Sequence, residues 1–343
     1  MVDGASGELD PAFAEWLEAF DELLAQQDVP LHERPLRAAA LLARYAVAQA
    51  SENGVETTVD KHVGFGDLLE KRWFGSLVRM SESWYARIVG AAALQPPESS
   101  AFGTVVHRGA IQLIKIPLVV THSAEIASQQ WIAFPDHVGD DEDVLEWLQP
   151  ALGRSAMHPD ELAALSAKVK KVAHSIRYIA SRSRNASRGS DELAGLLAGG
   201  LRNLQAFAHF AVVGDRPERQ KAWWELQMAN ESFLKALCLQ KGTQGGYRKT
   251  HSLQDLVRDA QQHGLDFAVS RLNEWPCQKE MGHFRYATGR RVSSAELLHA
   301  YELSIAVCEA AAASLRVHLD TGKAQFLIQP LPWRLRELEK GPA

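Results

Sequence analysis

The sequence predicts a mainly α-helical protein, with a helical bundle over residues 154–320 preceded by an α+β domain over 1–153 that contains a β-hairpin. Three observations predict it. Apolar residues recur at three- and four-residue spacing through 155–320, broken only at Gly214, 242–246 and 275–289. β-Branched and apolar residues crowd 103–121 on either side of Arg108-Gly109. A chain of 343 residues is also long for one core and suits two domains of about 100–200 residues each. The last segment, 321–343, reads as a C-terminal tail.

In the first domain, Phe13, Trp16, Leu17, Phe20, Leu23 and Leu24 line one face of a helix over 11–24. An alanine-rich helix over 36–50 follows. A third helix over 67–94 is stopped by Pro96-Pro97, which supply no amide donor. Val105, Val106, Ile111, Leu113, Ile114, Ile116, Val119 and Val120 then build the hairpin, with Arg108-Gly109 at its turn. Residues 130–134 add a strand, and the acidic loop 136–143 leads into a short helix over 144–148. This domain carries no recognisable chemical motif.

Composition narrows the functional classes. Hydrophobic residues at 46% and charged residues at 23% are globular proportions, so disorder is not expected. A net charge of −5 excludes a surface that is basic all over, so any nucleic-acid contact must use a local patch. Cys238, Cys277 and Cys308 are widely spaced, which excludes a cysteine zinc cluster or a disulfide framework and fits a reducing cytoplasm. His107, His122 and His137 recur every fifteen residues, a spacing that matches no ligand pattern. No metal and no cofactor is therefore expected. Acids rather than bases occupy the first eleven residues, unlike a secretory signal. The apolar stretch 111–120 is interrupted by Lys115 and Pro117 and is too short to span a bilayer. A soluble cytoplasmic protein without a membrane role is the expectation.

The second domain opens at His158-Pro159-Asp160-Glu161, with proline and acids in a first helical turn. The helix that follows carries Lys168, Lys170, Lys171 and Arg177, then Arg182, Arg184 and Arg188, and no acid lies between Glu161 and Asp191. With Tyr178 among them, these seven cations form either a phosphate-contacting strip or a solvated face that balances acidic loops elsewhere. Ser190-Asp191-Glu192 opens a helix to about Val213, ended by Gly214. A second runs over 216–240, with Glu231 and Lys235 placed as an intrahelical pair. Ser252 with Asp255, and Ser293 with Glu296, have capping-box spacing at the starts of a third and a fourth helix.

Glu231-Ser-Phe-Leu-Lys-Ala-Leu, Lys249-Thr-His-Ser-Leu, His283-Phe-Arg-Tyr and the alanine-rich 294–315, in this order, resemble the HEPN family of nucleotidyltransferase-associated and RNase-like proteins over residues 190–318. The resemblance implies an up-down helical bundle that pairs as a homodimer and binds RNA, a nucleotide or a partner protein. In a defence or toxin–antitoxin setting it implies a metal-independent endoribonuclease; otherwise it implies a non-catalytic binding or dimerisation module. RNase members of the family bring an Arg, a polar residue and a His together across the dimer axis. Cleavage by the RNA's own 2′-hydroxyl needs a group that titrates near neutrality and a cation for the phosphate, which His and Arg supply. Two sets are candidates here. Arg202, Asn203 and His209 have six residues between Arg and His, while Arg291, His299 and Tyr301 have seven. Nucleotide or RNA contacts are expected from Arg248, Lys249, His251, Arg285 and Tyr286, and from Lys170, Lys171 and Arg177. Trp223 and Trp224 are adjacent and cannot both face one core from a single helix, which is a second reason to expect a partner surface.

Overall fold

The computed structural model describes residues 11–52, 55–60, 62–95, 99–123, 129–186, 190–242, 247, 249–317, 321–322 and 324–328. They fall into two units, one of 1–98, 123–130 and 328–343, the other of 99–122 and 131–327. No helix among the described residues is long and apolar enough to cross a membrane.

In the first unit, α1 (Pro11–Gln26) and α2 (Arg34–Tyr45) pack with α4 (Arg72–Val89), which follows the short α3 (Phe65–Leu69). Leu17, Phe20, Leu24, Leu42, Phe74 and Leu77 meet in its core. Two expected helices are shorter than their periodicity suggests. The helix expected over 36–50 ends at Tyr45, because β1 (Gln49–Glu52) pairs antiparallel with β2 (Val55–Thr58). The helix expected over 67–94 breaks where Lys71 turns extended at ψ 126°, and α4 stops at Gly90, whose φ of 85° a side chain would resist.

The second unit begins with a hairpin of β3 (Ser100–His107) and β4 (Ala110–Pro117), paired from Ser100↔Pro117 to His107↔Ala110. Arg108 and Gly109 take φ of 49° and 78°, the left-handed pair that a two-residue hairpin turn requires. Strands β5 (Val120–Ser123) and β6 (Gln130–Ala133) follow, and β7 (Leu148–Gln149) adds to the free edge of β4. Six helices come next: α5 (Pro159–Ala186), α6 (Asp191–Val213), α7 (Arg216–Lys241), α8 (Leu253–Gln261), α9 (Gln278–Arg285) and α10 (Ser294–Ser314). No strand interrupts them among the described residues. Ser190, Ser252 and Ser293 accept from the backbone amides of Leu193, Asp255 and Glu296, and Glu296 closes a full capping box. Gly214 ends α6 in the left-handed conformation, and Asp215 at once caps α7.

The hairpin does not belong with the N-terminal helices, as a boundary at 153/154 would require. Ala101, Val105, Ile114 and Ile116 share one core with Leu165, Val169, Phe207 and Tyr301 of the helices. The sheet needs an apolar partner for its inner face, and α5, α6 and α10 supply it. Close approach is possible because β3 carries Gly103, where a Cβ would come within 2.9 Å of Val172 and 3.1 Å of the Tyr301 hydroxyl. The expected tail is also partly structured: β8 (Gln325–Ile328) joins a sheet in the order β5-β6-β8.

Candidate functional site

The groove with the most chemistry in it lies within the second unit. It has a volume of about 820 Å³, with β3 at its floor and α5, α10 and the segment 270–274 as its walls. Lys168, Lys171 and Ser175 come from α5, His299, Glu302 and Glu309 from α10, and Arg271 and Glu274 from the connecting segment. Lys168, Lys171, Arg271 and His299 are exposed. Ser175, which is buried, donates to Glu309 Oε2 at 2.8 Å and fixes that carboxylate at the far end.

Two hydroxyls at the floor are poorly satisfied. Thr104 Oγ1 and Tyr301 Oη are both buried and close no hydrogen bond of full geometry with the described residues. The Tyr301 ring stacks on Phe207 at 4.6 Å, with 12° between planes. Burial pushes the Tyr301 phenol well above its ordinary pKa, against a smaller downward pull from the nearby Thr104 amide. It therefore stays neutral, able to donate a hydrogen bond but unable to act as a base near neutral pH. A buried hydroxyl lacking a partner costs about 1–3 kcal/mol, a cost that Ser81 Oγ, Arg219 Nε and Trp223 Nε1 also carry away from the groove.

The groove gathers only part of the sequence-predicted set. His299, Tyr301 and Lys171 line it. Arg291 is exposed in the stretch before α10 and lines none of the cavities described here. Arg202, Asn203 and His209 lie on α6 and do not reach it; Arg202 and His209 are exposed, and the His209 ring rests on Phe102 at 4.6 Å. Lys170 is half-buried and points elsewhere than the groove. Arg285 lies 5.4 Å from the rings of both Trp224 and Tyr286, and Tyr286 is 70% exposed. Arg248 lies outside the described residues.

Two expected contacts have a structural use instead. Among the described residues Arg177 is the largest fully buried side chain, so it cannot meet a phosphate. Its guanidinium donates to Glu142 through two nitrogens at 2.5 and 2.7 Å, and to the carbonyls of Pro117 and His137. It also lies 4.8 Å from the Trp147 ring. Burial pushes the Glu142 carboxyl up, but the Arg177 hydrogen bonds, the Gly139 amide and the Arg177 charge outweigh it and hold the carboxyl below its ordinary pKa. His251 places Nδ1 2.9 Å from Glu231, a buried carboxylate that also accepts from Gln227 at 2.7 Å and Lys235 at 2.9 Å. His251 thus fastens the turn before α8 to α7, while Lys249 beside it is exposed. The tryptophan pair is also accounted for within the chain. Trp223 is buried against Trp275 and Phe284, and Arg285 covers the half-buried Trp224.

Sequence reasoning missed Thr104, Ser175, Arg271, Glu274 and Glu309, because no local pattern links four segments so far apart. The fate of Arg177 did leave a signal. It stands four and eight residues after Ala173 and Val169, in the apolar stripe of α5. No family model matches the chain, and no curated protein and no solved structure resembles it significantly.

Proposed function

We propose that this chain is a HEPN-like protein that binds a nucleotide, or a short stretch of RNA, in the groove between β3, α5 and α10. One observation carries the reading: a single cavity gathers three exposed cations, Lys168, Lys171 and Arg271, beside His299 and three carboxylates. Lys168, Lys171 and Arg271 suit phosphate, whereas the Thr104 and Tyr301 oxygens are enclosed beneath the floor and shape the groove rather than touch its contents. Glu274, Glu302 and Glu309 make the groove a poor match for phosphate alone, but carboxylates accept from ribose hydroxyls and amino groups. About 820 Å³ is ample for such a ligand.

The binding reading has more support than the endoribonuclease one. His299 is the one histidine lining the groove, the Tyr301 phenol is held neutral, and neither Arg291 nor Arg202 lines the cavity. Calorimetric titration with nucleoside mono- and diphosphates and a short RNA, for wild type and a Lys168→Glu/Lys171→Glu variant, tests the reading. Expected are salt-sensitive binding by wild type and a loss of about tenfold or more in the variant. No binding of any nucleotide or RNA by wild type would sink it. Cleavage of a mixed RNA in excess EDTA that disappears in His299→Ala would replace it with the endoribonuclease reading.

A further inference from the structure

We infer that the groove is one end of a longer path, and that its ligand is a single RNA strand that leaves the groove past His299 and stacks on Tyr286. The inference rests on the nucleotide- or RNA-binding reading of the groove and adds the ligand's length and course. The groove shares Glu274, His299 and Leu303 with a second cavity of about 270 Å³. That cavity in turn shares Arg290 with a third, of about 310 Å³, walled by Lys279 and His283 of α9. Helix α9 ends at Arg285, and Tyr286 follows it directly. The three cavities therefore run, through shared residues, as far as His283 and Thr288, which flank Arg285 and Tyr286 in the chain.

Length points the same way. From His299 to Glu309 the groove follows ten residues of α10, about 15 Å at 1.5 Å per residue. Stacked bases rise about 3.4 Å each, so this wall passes about four nucleotides and one mononucleotide fills only part of it.

Charge and stacking surface change along the path. In the groove Lys168, Lys171 and Arg271 are matched by three carboxylates. Beyond it, Glu280 and Glu296 are both engaged by Arg290, at 2.8 and 2.6 Å. Lys279, Arg285 and Arg291 are all exposed and make no ion pair among the described residues. Arg285 lies between two rings, 5.4 Å from each, and Tyr286 is mostly open to solvent. An exposed ring beside a cation held in place is the arrangement on which single-stranded bases stack, largely regardless of sequence.

Fluorescence polarisation with an unstructured labelled 4-mer and 12-mer RNA, alongside titration with mononucleotides, tests the path. The 12-mer is expected to bind at least about tenfold tighter than the 4-mer. Tyr286→Ala should weaken the 12-mer by about five- to tenfold, the usual share of one stacked base, and leave mononucleotide affinity within about twofold. Tyr286→Phe should keep the wild-type value, since the ring face is what acts. Equal affinity for the two oligomers, or an unchanged 12-mer affinity in Tyr286→Ala, would overturn the path and leave the groove reading standing. Failure of every mononucleotide and oligomer to bind would overturn both. Tyr286 packs in no core, so circular dichroism and thermal melting of the variant should match wild type.

Discussion

On the first half of α5, Lys168 and Lys171 stand exposed along the groove and make no ion pair among the described residues. On the second half, Arg177 is enclosed, Arg182 donates to the carbonyls of Ala312, Ala313 and Leu315 at the end of α10, and Arg184 lies 5.0 Å from the Phe134 ring. These cations belong to one basic run, yet helix phase sends them to opposite fates. Lys168, Lys171 and Ser175 share the groove face, whereas Arg177 shares the stripe of Val169 and Ala173. A cation on that stripe loses its hydration, which is tolerable only with a partner and full hydrogen bonding. Glu142 and two carbonyls provide both. A cation on the groove face keeps its hydration and stays available to an anion that arrives later.

The severest way to break this contrast is Arg177→Met. It leaves the Glu142 carboxylate without its counter-charge, and we expect a loss of about 3–5 kcal/mol in urea unfolding. A loss below about 1 kcal/mol would place Arg177 with the groove lysines. Acid should act on the same pair more gently. The Glu142 carboxyl titrates lower in the folded chain than in the unfolded one, so its contribution is complete above about pH 4.3 and fades as the pH falls below that. The urea midpoint of wild type should drop between about pH 5 and pH 3, and that of Arg177→Met should drop less. Equal drops would show that Glu142 is not the group being titrated. The smallest effect belongs to the groove. Lys168→Glu/Lys171→Glu should change unfolding stability by less than about 0.5 kcal/mol, as exposed substitutions do, while weakening the nucleotide. A larger loss of stability would mean that the lysines hold the fold together as Arg177 does.

Much of the second unit was legible residue by residue. The caps at Ser190, Ser252 and Ser293, the stop at Gly214, the Arg108-Gly109 turn and the Glu231–Lys235 pair all stand where the sequence places them. Helix α9 was not legible. It falls within 275–289, expected as a break, it spans eight residues, and it includes Gly282. What holds it is the burial of Met281 and Phe284, the latter against Trp223 of another helix. Of the groove, His299, Tyr301 and Lys171 were legible as reactive or charged residue types. That Tyr301 sits on the floor was not, since this depends on Gly103 nearly two hundred residues earlier.

By itself, then, the sequence determined the starts of α6, α7, α8 and α10 and the stops of α6 and α7, but not the stop of α8 at Gln261, because a cap or a left-handed glycine satisfies backbone groups within four residues of itself. It likewise determined the hairpin turn, where two adjacent residues adopt the left-handed geometry. Only the tertiary structure decided that the hairpin packs on the bundle, that Arg177 is a clasp rather than a phosphate contact, and that His299 shares a groove with Lys168 and Arg271. Burial and electrostatic pairing depend on what lies across the gap. For Arg177 that is Glu142 and Trp147 on a loop thirty or more residues away, and no pattern local to α5 specifies it.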